Sequence, residues 1–281
     1  MALPQDFDLG EFVGRVLAED LSSGGDVTSN ATIAADARFT AAMVCRQPIV
    51  LAGLEIAAAF FRALEDSVRV DPFVHDGDAA DAGTVLLRLE GNARAMLAAE
   101  RSALNTLQHL SGIATLTRRY VDAIAGTGAV LLDTRKTIPG LRVLEKYASR
   151  MGGAQNHRMR LDDGVLIKDN HLAVCGGVAE AVRRAKAANT GLQVQVEVDR
   201  IDQIEPALAA GADRLLLDNM PPTVLRDAVK LVAGRVSLEA SGGVTLETIR
   251  AIAETGVNYI SVGRITQSAP AVDIGLDYSI G

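Results

Sequence analysis

The chain of 281 residues is poor in the residues that mark disulfide-rich, zinc-binding and membrane proteins. It has two cysteines, Cys45 and Cys175, four histidines and no tryptophan. The cysteines lie far apart and outside any CxxC or Cys/His spacing, so we expect no zinc site, no disulfide framework and a reducing cytoplasm. No run approaches the roughly 18 uncharged apolar residues of a membrane span. The start MALPQDFDLGEF lacks the basic and apolar regions of an export signal. We expect a soluble cytoplasmic protein that makes no contact with membranes.

Net positive charge is also lacking. The 28 Lys and Arg residues face 35 Asp and Glu residues, which gives a formal net charge of −7. A nucleic-acid surface needs positive charge clustered along one face, and the sequence has no basic arm. We therefore expect no nucleic-acid partner, and any anionic ligand must be bound by a local pocket.

The C-terminal part of the chain alternates between short apolar runs and amphipathic helical patterns. The runs cover residues 129–133, 164–168, 192–198, 214–218, 236–240 and 259–263. Apolar runs separated by helices are typical of buried parallel strands in βα units. The last units begin so close together that little room remains beyond short loops, which favours one compact α/β barrel over an open sheet.

The first 110 or so residues follow a different pattern. Alternating stretches at 38–53 and 84–93 predict antiparallel strands, and a long helix is expected from about Asn92 with a break at Ser111-Gly112. We predict a first domain at 1–112 and a barrel domain at 113–267. The segment 268–281 has strand character and is predicted to dock on the first domain.

Positive charge is concentrated where the barrel strands end. Residues 133–171 contain eight Lys and Arg residues against five acids. Arg135 and Lys136 follow one predicted strand, and His157 and Arg158 approach the next, which ends at Lys168. Because barrel enzymes place their working groups at the carboxyl ends of strands, this cluster predicts an anion pocket. Three other members fall within a helical pattern and are expected to be solvated helix charges: Arg142, Lys146 and Arg150.

Two histidines lie in this cluster, but their spacing does not fit a metal site. His157 and His171 do not form the HxxxH pair of helical zinc ligands. His157 is the better candidate for a hydrogen bond to the substrate, and His171 is expected to be structural.

Glu197 and Asp218, at the ends of neighbouring strands, suit either Mg²⁺ held together with substrate phosphates or the hydroxyls of a ribose.

Glycine turns follow the last two strands, in EASGGV at 239–244 and SVGRIT at 261–266. Turns of this kind that lead into helices expose main-chain N–H groups and a positive helix end. The pair of turns predicts a site for a phosphate monoester.

Seven sequence blocks together resemble the quinolinate phosphoribosyltransferases. They are GGDVTSNAT, AERSALNTLQHLSGIAT, the whole of 133–171, VEVD, LLLDNM, LEASGGV and TQSAPAVDIGLDYS. The resemblance covers nearly the whole chain and implies the type II phosphoribosyltransferase fold, an N-terminal α/β sandwich with a parallel α/β barrel of fewer than eight strands. It also implies a homodimer or an assembly of dimers. The implied reaction converts quinolinate and phosphoribosyl diphosphate, with Mg²⁺, into nicotinate mononucleotide, diphosphate and CO₂ in de novo NAD biosynthesis.

The resemblance assigns roles residue by residue. The quinolinate site matches Arg101, Arg135, Lys136, His157, Arg158 and Lys168, with Arg101 reaching the barrel mouth of the partner subunit. The phosphoribosyl diphosphate site matches Lys136, Glu197, Asp218, Ser241, Gly242, Gly243 and Gly263. Glu197 and Asp218 lie near Mg²⁺, directly or through waters and diphosphate, and the catalytic groups are Lys136, Lys168, Glu197 and Asp218. Gln267 and Arg264 depart from the family pattern beside the phosphate loop, where a histidine and a small residue or lysine are common.

Three alternatives remain open from the residues. One is a protein of the same fold that acts on another base, although a base with a single carboxylate would not need so many cations. Another is a barrel aldolase or lyase in which Lys136 or Lys168 forms a Schiff base. The third is an anion-binding regulatory module, which would not require both acids and both glycine turns.

Overall fold

A computed structural model of the protein describes residues 7–279, which fall into two compact units. One unit contains residues 7–117, 143–153 and 268–279, and the other contains residues 118–142 and 154–267. Residues 1–6, part of the stretch used against an export signal, and residues 280–281, at the end of the predicted docking segment, lie outside the described residues. The domain boundaries at 1–112, 113–267 and 268–281 stay predictions. Among residues 7–279, no helix combines the length and the apolar character needed to cross a membrane.

The first unit combines helices with a four-stranded antiparallel sheet. Its helices are α1 (Leu9–Leu21), α2 (Val27–Thr32), α3 (Leu54–Leu64), most of α4 (Ala93–Ala123) and most of α5 (Arg142–Met151). Its strands are β1 (Arg38–Cys45), β2 (Ile49–Val50), β3 (Arg69–Pro72), β4 (Ala79–Ala80), β5 (Val85–Asn92) and β12 (Ile274–Ser279). The sheet has the order β12-β1-β5-β3, and β2 pairs with β4 separately. The antiparallel strands predicted from the alternating stretches are confirmed.

The core of the first unit lies between this sheet and its helices. Met43, Leu87 and Leu89 project from the sheet and are at most 1% exposed. Phe12 of α1 meets Phe60 of α3 edge-on, with ring centroids 6.1 Å apart. Aromatic pairs in this geometry stabilise a core beyond the area that they bury.

The GGDVTSNAT block begins a short helix. Asp26 is the N-cap of α2: its carboxylate accepts hydrogen bonds from the main-chain N–H of Ser29 at 3.0 Å and from the Ser29 hydroxyl at 2.5 Å. These bonds from Ser29 lower the pKa of Asp26. The block therefore has a structural explanation, since an N-cap carboxylate satisfies free N–H groups of the first turn.

The helix break predicted at Ser111-Gly112 is wrong. Helix α4 continues without interruption to Ala123. A Cβ atom on Gly112 would lie 2.2 Å from the carbonyl oxygen of Pro270, and the Ser111 hydroxyl accepts the Ala52 N–H at 3.1 Å. The two small residues allow other parts of the chain to approach the helix closely, and the helical hydrogen bonds outweigh the low helix propensity of one glycine.

The prediction that α5 carries solvated charges is also wrong. Lys146 is fully buried, and so is its neighbour Glu145, which lies 2.9 Å from Nε2 of His109. Arg150 stacks over the ring of Tyr147, with its guanidinium carbon 5.8 Å from the ring centroid. Helical spacing in the sequence predicts that a helix forms. It does not show how many faces of that helix are covered by the rest of the protein.

The second unit contains a six-stranded parallel sheet. Its strands are β6 (Val130–Leu132), β7 (Val165–Ile167), β8 (Val194–Val198), β9 (Arg214–Asp218), β10 (Ser237–Ser241) and β11 (Tyr259–Ser261). Its helices are α6 (Asp169–Cys175), α7 (Val178–Ala187), α8 (Ile204–Ala209), α9 (Pro222–Val232), α10 (Ile249–Ala253) and α11 (Arg264–Gln267), with a 3₁₀ turn at Ile201–Gln203. The order is β6-β11-β10-β9-β8-β7, and no ladder joins β6 to β7 within the described part of the chain. The predicted α/β class with fewer than eight parallel strands is confirmed.

The two faces of the parallel sheet differ in polarity. Side chains alternate between the faces along each strand, and paired residues of neighbouring strands share a face. One face is apolar, with Val196, Leu215 and Leu217 fully buried. The other face presents the polar residues of the central strands: Gln195, Glu197, Arg214, Asp218, Ser237, Glu239, Ser241 and Ser261. Charged groups therefore collect on one side of the sheet and at the carboxyl ends of its strands.

Candidate functional site

The exit of β6 is joined to the chain segment before β7 by a buried carboxylate. Asp133, which is fully buried, accepts hydrogen bonds from the main-chain N–H of His157 at 2.8 Å and from the side-chain amide of Asn156 at 2.5 Å. Main-chain bonds between Gln155 and β6 hold the same segment alongside the strand. The structure therefore brings the DTRKT and NHR motifs together, as the sequence predicts.

The positive charges of two arginines interact at this junction. Arg158 is half-buried, and its Nη1 donates to the carbonyl of Gly164 at 2.9 Å. Burial lowers the pKa of Arg158, and the positive charge of Arg135 lowers it further. The Nε of Arg135 is buried and has no hydrogen-bond partner among residues 7–279. Because such a donor is costly to leave unsatisfied, this pair of guanidinium groups is suited to binding an anion.

Lys136 connects the β6 exit to the last glycine turn. Its side chain is exposed and packs against Gly263, where a Cβ atom would lie 2.7 Å from Lys136 Cδ. The hydroxyl of Thr266 donates to the main-chain oxygen of Lys136 at 2.7 Å. The lysine therefore lies beside the glycine turn that follows β11.

The exits of β7, β8 and β9 bring a lysine and two acids together. Lys168 Nζ lies 3.6 Å from Glu197 Oε2. Burial raises the pKa of Glu197, and Asp218 raises it further, whereas Lys168 lowers it. The two carboxylates thus repel each other electrostatically, which is the arrangement that a bound cation or substrate hydroxyls would stabilise.

His171 contacts this group of charges only through the main chain of Lys168 among the contacts described. Its ring is exposed, and its Nδ1 accepts the main-chain N–H of Lys168 at 2.9 Å at the beginning of α6. This contact agrees with the structural role expected for His171. Among the described residues, no group of three or more His, Cys, Asp and Glu side chains is arranged to hold a metal ion.

The glycine turns follow β10 and β11 as predicted. Gly242 and Gly243 have φ angles of +92° and +60°, and a Cβ atom on Gly242 would lie 2.2 Å from Asn219 Oδ1. Only glycine fits at position 242, because Asn219 occupies the place that a Cβ atom would take. One expectation is wrong in detail: only Gly263 leads directly into a helix, α11, while α10 begins at Ile249.

A buried charge cluster on the polar face of the sheet escaped the sequence analysis. Glu239 Oε2 lies 2.9 Å from Arg214 Nη2, accepts from Gln195 Nε2 at 2.8 Å and lies 3.4 Å from Nε2 of His157. Burial raises the pKa of Glu239, but the nearby His157 ring and the charge of Arg214 hold it below its usual value. The signal was the alternate polar positions inside LQVQVEV, RLLLD and VSLEA.

Arg101, Arg264 and Gln267 are the remaining predicted or atypical positions. Arg101 lies on α4 within the first unit, with 65% of its side chain exposed and its Nη2 3.4 Å from Glu100 Oε1. Its assignment to a partner's site stays a prediction. Arg264 and Gln267, both exposed, are the first and last residues of α11, and the Gln267 N–H donates to the Gly263 carbonyl at 2.9 Å.

Comparison with known proteins covers nearly the whole chain. The family model for the quinolinate phosphoribosyl transferase N-terminal domain matches residues 26–111, and the model for the C-terminal domain matches residues 113–277. The chain is 45% identical over 278 residues to the nicotinate-nucleotide pyrophosphorylase (carboxylating) of Mycobacterium leprae (strain TN), covering 97% of this chain and 98% of that protein.

Solved structures show the same relationship. The nicotinate-nucleotide pyrophosphorylase from Francisella tularensis superimposes with a TM-score of 0.94 at 40% identity, covering 99% of this chain and 98% of that one. The protein of the same name from Pyrococcus furiosus has a TM-score of 0.71 at 19% identity and shows the fold alone. The chain belongs to the quinolinate phosphoribosyl transferase family.

Proposed function

We propose that the protein transfers the phosphoribosyl group of phosphoribosyl diphosphate to quinolinate and releases CO₂. The products are nicotinate mononucleotide and diphosphate, and the reaction belongs to NAD biosynthesis. The observation that carries the proposal is the concentration of Arg135, Lys136, Arg158 and Lys168 in the segments that follow β6 and β7, in a chain of net charge −7. Both substrates are strongly anionic, so the site has to provide positive charge that the chain as a whole lacks.

The quinolinate site uses the cations at the exits of β6 and β7. Its residues are Arg135, Lys136, His157, Arg158 and Lys168, completed by Arg101 from the partner subunit of a homodimer. The two guanidinium groups suit the two carboxylates of quinolinate, because a planar guanidinium can bind a carboxylate through two hydrogen bonds. The repulsion between Arg135 and Arg158 favours this assignment, since a dianion relieves it.

Phosphoribosyl diphosphate is assigned to the other strand exits. Ser241, Gly242, Gly243 and Gly263 receive its 5′-phosphate through main-chain N–H groups, and Lys136 lies beside them. Glu197 and Asp218 face the ribose and the diphosphate. Two carboxylates without a third ligand fit Mg²⁺, which binds one or two carboxylates and takes its other ligands from substrate phosphates and water. Bound there, Mg²⁺ would neutralise charge on the diphosphate.

The proposed reaction has two steps. The ring nitrogen of quinolinate forms a bond to C1 of the ribose as the bond to diphosphate breaks, and Glu197 and Asp218 stabilise the positive charge that develops on the sugar. The ring nitrogen is then cationic. The electron pair of the bond to the C2 carboxylate stays on the ring carbon as CO₂ leaves, which requires no organic cofactor. Lys136 or Lys168 delivers the proton that completes nicotinate mononucleotide.

One assay tests the proposal against its rivals. Purified protein is incubated with phosphoribosyl diphosphate, Mg²⁺ and either quinolinate or nicotinate, and CO₂ and nicotinate mononucleotide are measured. We expect both products from quinolinate and no CO₂ from nicotinate. Turnover of nicotinate or another base without turnover of quinolinate would show that the substrate is wrong. Borohydride trapping of a carbonyl substrate on Lys136 or Lys168 would favour the aldolase instead.

The assembly and the compartment are also proposals. A homodimer is supported by the position of Arg101, whose guanidinium is exposed and can serve a second subunit. A cytoplasmic location is supported by the two free cysteines in the described part of the chain, Cys45 and Cys175. Light scattering of the purified protein would test the homodimer, since a monomeric mass would contradict it.

A further inference from the structure

The guanidinium group of Arg142 joins two chain segments of the second unit. Arg142 is the first residue of α5 and is half-buried. Its Nε donates to the hydroxyl of Thr137 at 3.1 Å, and its Nη1 donates to the main-chain carbonyl of Met159 at 3.2 Å. Thr137 belongs to the segment that follows β6, and Met159 belongs to the segment that precedes β7. One side chain therefore holds the two segments together.

Both acceptors of this guanidinium are close in sequence to an arginine of the proposed quinolinate site. Thr137 lies two residues after Arg135, and its hydroxyl donates to the main-chain carbonyl of Arg135 at 3.4 Å. Met159 directly follows Arg158. A guanidinium donates its hydrogen bonds in fixed directions. The two bonds of Arg142 therefore limit how far the main chains at Arg135 and Arg158 can move apart.

The two arginines need such a restraint because their charges repel. The positive charge of Arg135 lowers the pKa of Arg158, which is the effect of a like charge nearby. On the other side of Arg158, the Asp133 carboxylate accepts the main-chain N–H of His157 at 2.8 Å. The main chain around Arg158 is thus bonded at both ends, before it to Asp133 and after it to Arg142.

We propose that Arg142 is a positioning residue, which holds Arg135 and Arg158 at a fixed separation through its hydrogen bonds to Thr137 and Met159. The proposal rests on the proposed quinolinate site, where these two arginines receive the two carboxylates of the substrate. Arg142 acts through the two segments and not through its own charge.

Amide hydrogen exchange tests the restraint in the ligand-free protein. Arg142→Met removes both hydrogen bonds and keeps an unbranched side chain. Arg250→Met is the matched control, because the Arg250 guanidinium also bonds to one side chain and one main-chain carbonyl, at residues outside the proposed site. We expect exchange in 134–141 and 157–164 to be faster than in wild type for Arg142→Met only. Unchanged exchange would overturn the proposal whether or not the protein uses quinolinate.

Steady-state kinetics test the effect on the proposed reaction. For Arg142→Met we expect the KM for quinolinate to rise about tenfold, because the two guanidinium groups no longer match the two carboxylates. The KM for phosphoribosyl diphosphate should stay within about threefold of wild type, because Thr266 holds the main-chain oxygen of Lys136 separately, at 2.7 Å. Arg250→Met should change neither value.

The other kinetic outcomes are distinct. An unchanged KM for quinolinate in Arg142→Met would contradict the positioning role, and equal rises in both KM values would show a general structural effect instead. If the wild type does not turn over quinolinate, the proposed function is wrong, while the exchange measurement still decides whether Arg142 restrains the two segments.

Thr137→Val separates the hydrogen bonds of Arg142 from its charge. The substitution removes the hydroxyl and leaves every charge in place. We expect the KM for quinolinate to rise about threefold in Thr137→Val, and the double variant to behave as Arg142→Met alone, since the two changes remove one shared contact. A wild-type KM for Thr137→Val beside a raised KM for Arg142→Met would show that Arg142 acts through its charge, which would overturn the proposal.

Discussion

Lys136 and Gly263 lie so close together that a Cβ atom on the glycine would be 2.7 Å from Cδ of the lysine. They follow β6 and β11, which are neighbours in the parallel sheet with Leu132 opposite Ser261. Because Gly263 has no side chain, the side chain of Lys136 has room to cross the turn. This packing places the lysine charge beside the predicted phosphate site.

Gly263→Ala should therefore weaken phosphoribosyl diphosphate binding by displacing Lys136. The clash is with a flexible side chain, so the fold should survive while the ammonium moves. We expect the KM for phosphoribosyl diphosphate to rise about tenfold or more, the cost of one hydrogen bond to a charged group. Steady-state kinetics and the thermal unfolding midpoint check this together.

A double-mutant cycle with Lys136→Ala shows whether the lysine carries the effect. If Gly263→Ala acts by moving Lys136, it should add little once the lysine is absent. Full additivity of the two losses would mean that the new methyl group blocks the phosphate directly.

Gly112→Ala should destabilise the first unit although it replaces a glycine in the middle of a helix. Such a change usually stabilises a helix by about 0.5–1 kcal/mol. Here the methyl group would lie 2.2 Å from the Pro270 carbonyl oxygen, and overpacking costs about 1–3 kcal/mol. Gly14 in α1 is the matched control, because its Cβ would meet nothing within 4 Å. Chemical denaturation should give opposite signs for the two substitutions, and stabilisation by both would contradict the close approach.

The parallel strands and the positions of their exits could be predicted from the sequence. Each apolar run after residue 129 forms a strand, because burial of a parallel strand demands apolar residues and little else competes with that signal. The polar residue that ends each run also lies where the prediction places it, as Lys168 and Asp218 show.

The remaining features depend on contacts between residues distant in sequence. Glu239 and Arg214 sit within or beside apolar runs, and only the register of neighbouring strands shows that they compensate each other. Lys146 has a helical surface pattern but is buried by segments that the local sequence does not reveal. From the sequence alone, Gly112 predicts a break in the helix. The structure shows that a glycine is needed there because Pro270 lies against it.

Asp133→Asn should loosen the segment that carries His157 and Arg158. Both oxygens of Asp133 accept from N–H groups, so an amide directs a donor at a donor in a buried site. We expect a loss of about 1–3 kcal/mol in the free energy of unfolding and a raised KM for quinolinate. Asp163→Asn is the control, since this exposed carboxylate also caps main-chain N–H groups. Equal losses of stability for the two variants would contradict the special position of Asp133.

Glu197→Gln should raise thermal stability while it lowers activity. Burial and Asp218 raise the pKa of Glu197, so its ionised form disfavours folding. The contribution of the carboxyl to stability is present at acid pH and is lost as pH rises through the folded-state pKa. The variant should therefore unfold at a higher temperature than wild type at pH above neutrality and at an equal temperature in acid. Its kcat/KM should fall about a hundredfold or more if the carboxylate stabilises the transition state.

Glu180→Gln on α7 is the control of opposite sign. Hydrogen bonding from Arg184 and the charge of Arg183 lower the pKa of Glu180, so its ionised form favours folding. This variant should be less stable than wild type at neutral pH and fully active. If Glu197→Gln also unfolds at a lower temperature than wild type, the ion pair of Glu197 with Lys168 stabilises the protein more than burial of the Glu197 charge destabilises it.

Arg135→Ala should abolish stabilisation of the protein by quinolinate without weakening the ligand-free protein. The positive charge of Arg135 acts against that of Arg158, so its removal relieves repulsion while no anion is bound. In the wild type, quinolinate at a hundred times its Kd should stabilise the fold by about 2.7 kcal/mol. Arg160→Ala makes the same change in net charge at a side chain that is 64% exposed, and should keep the thermal shift. If Arg135→Ala and Arg160→Ala lose the thermal shift caused by quinolinate to the same extent, the ligand binds through the overall charge of the protein. Arg135 and Arg158 are then not its binding site.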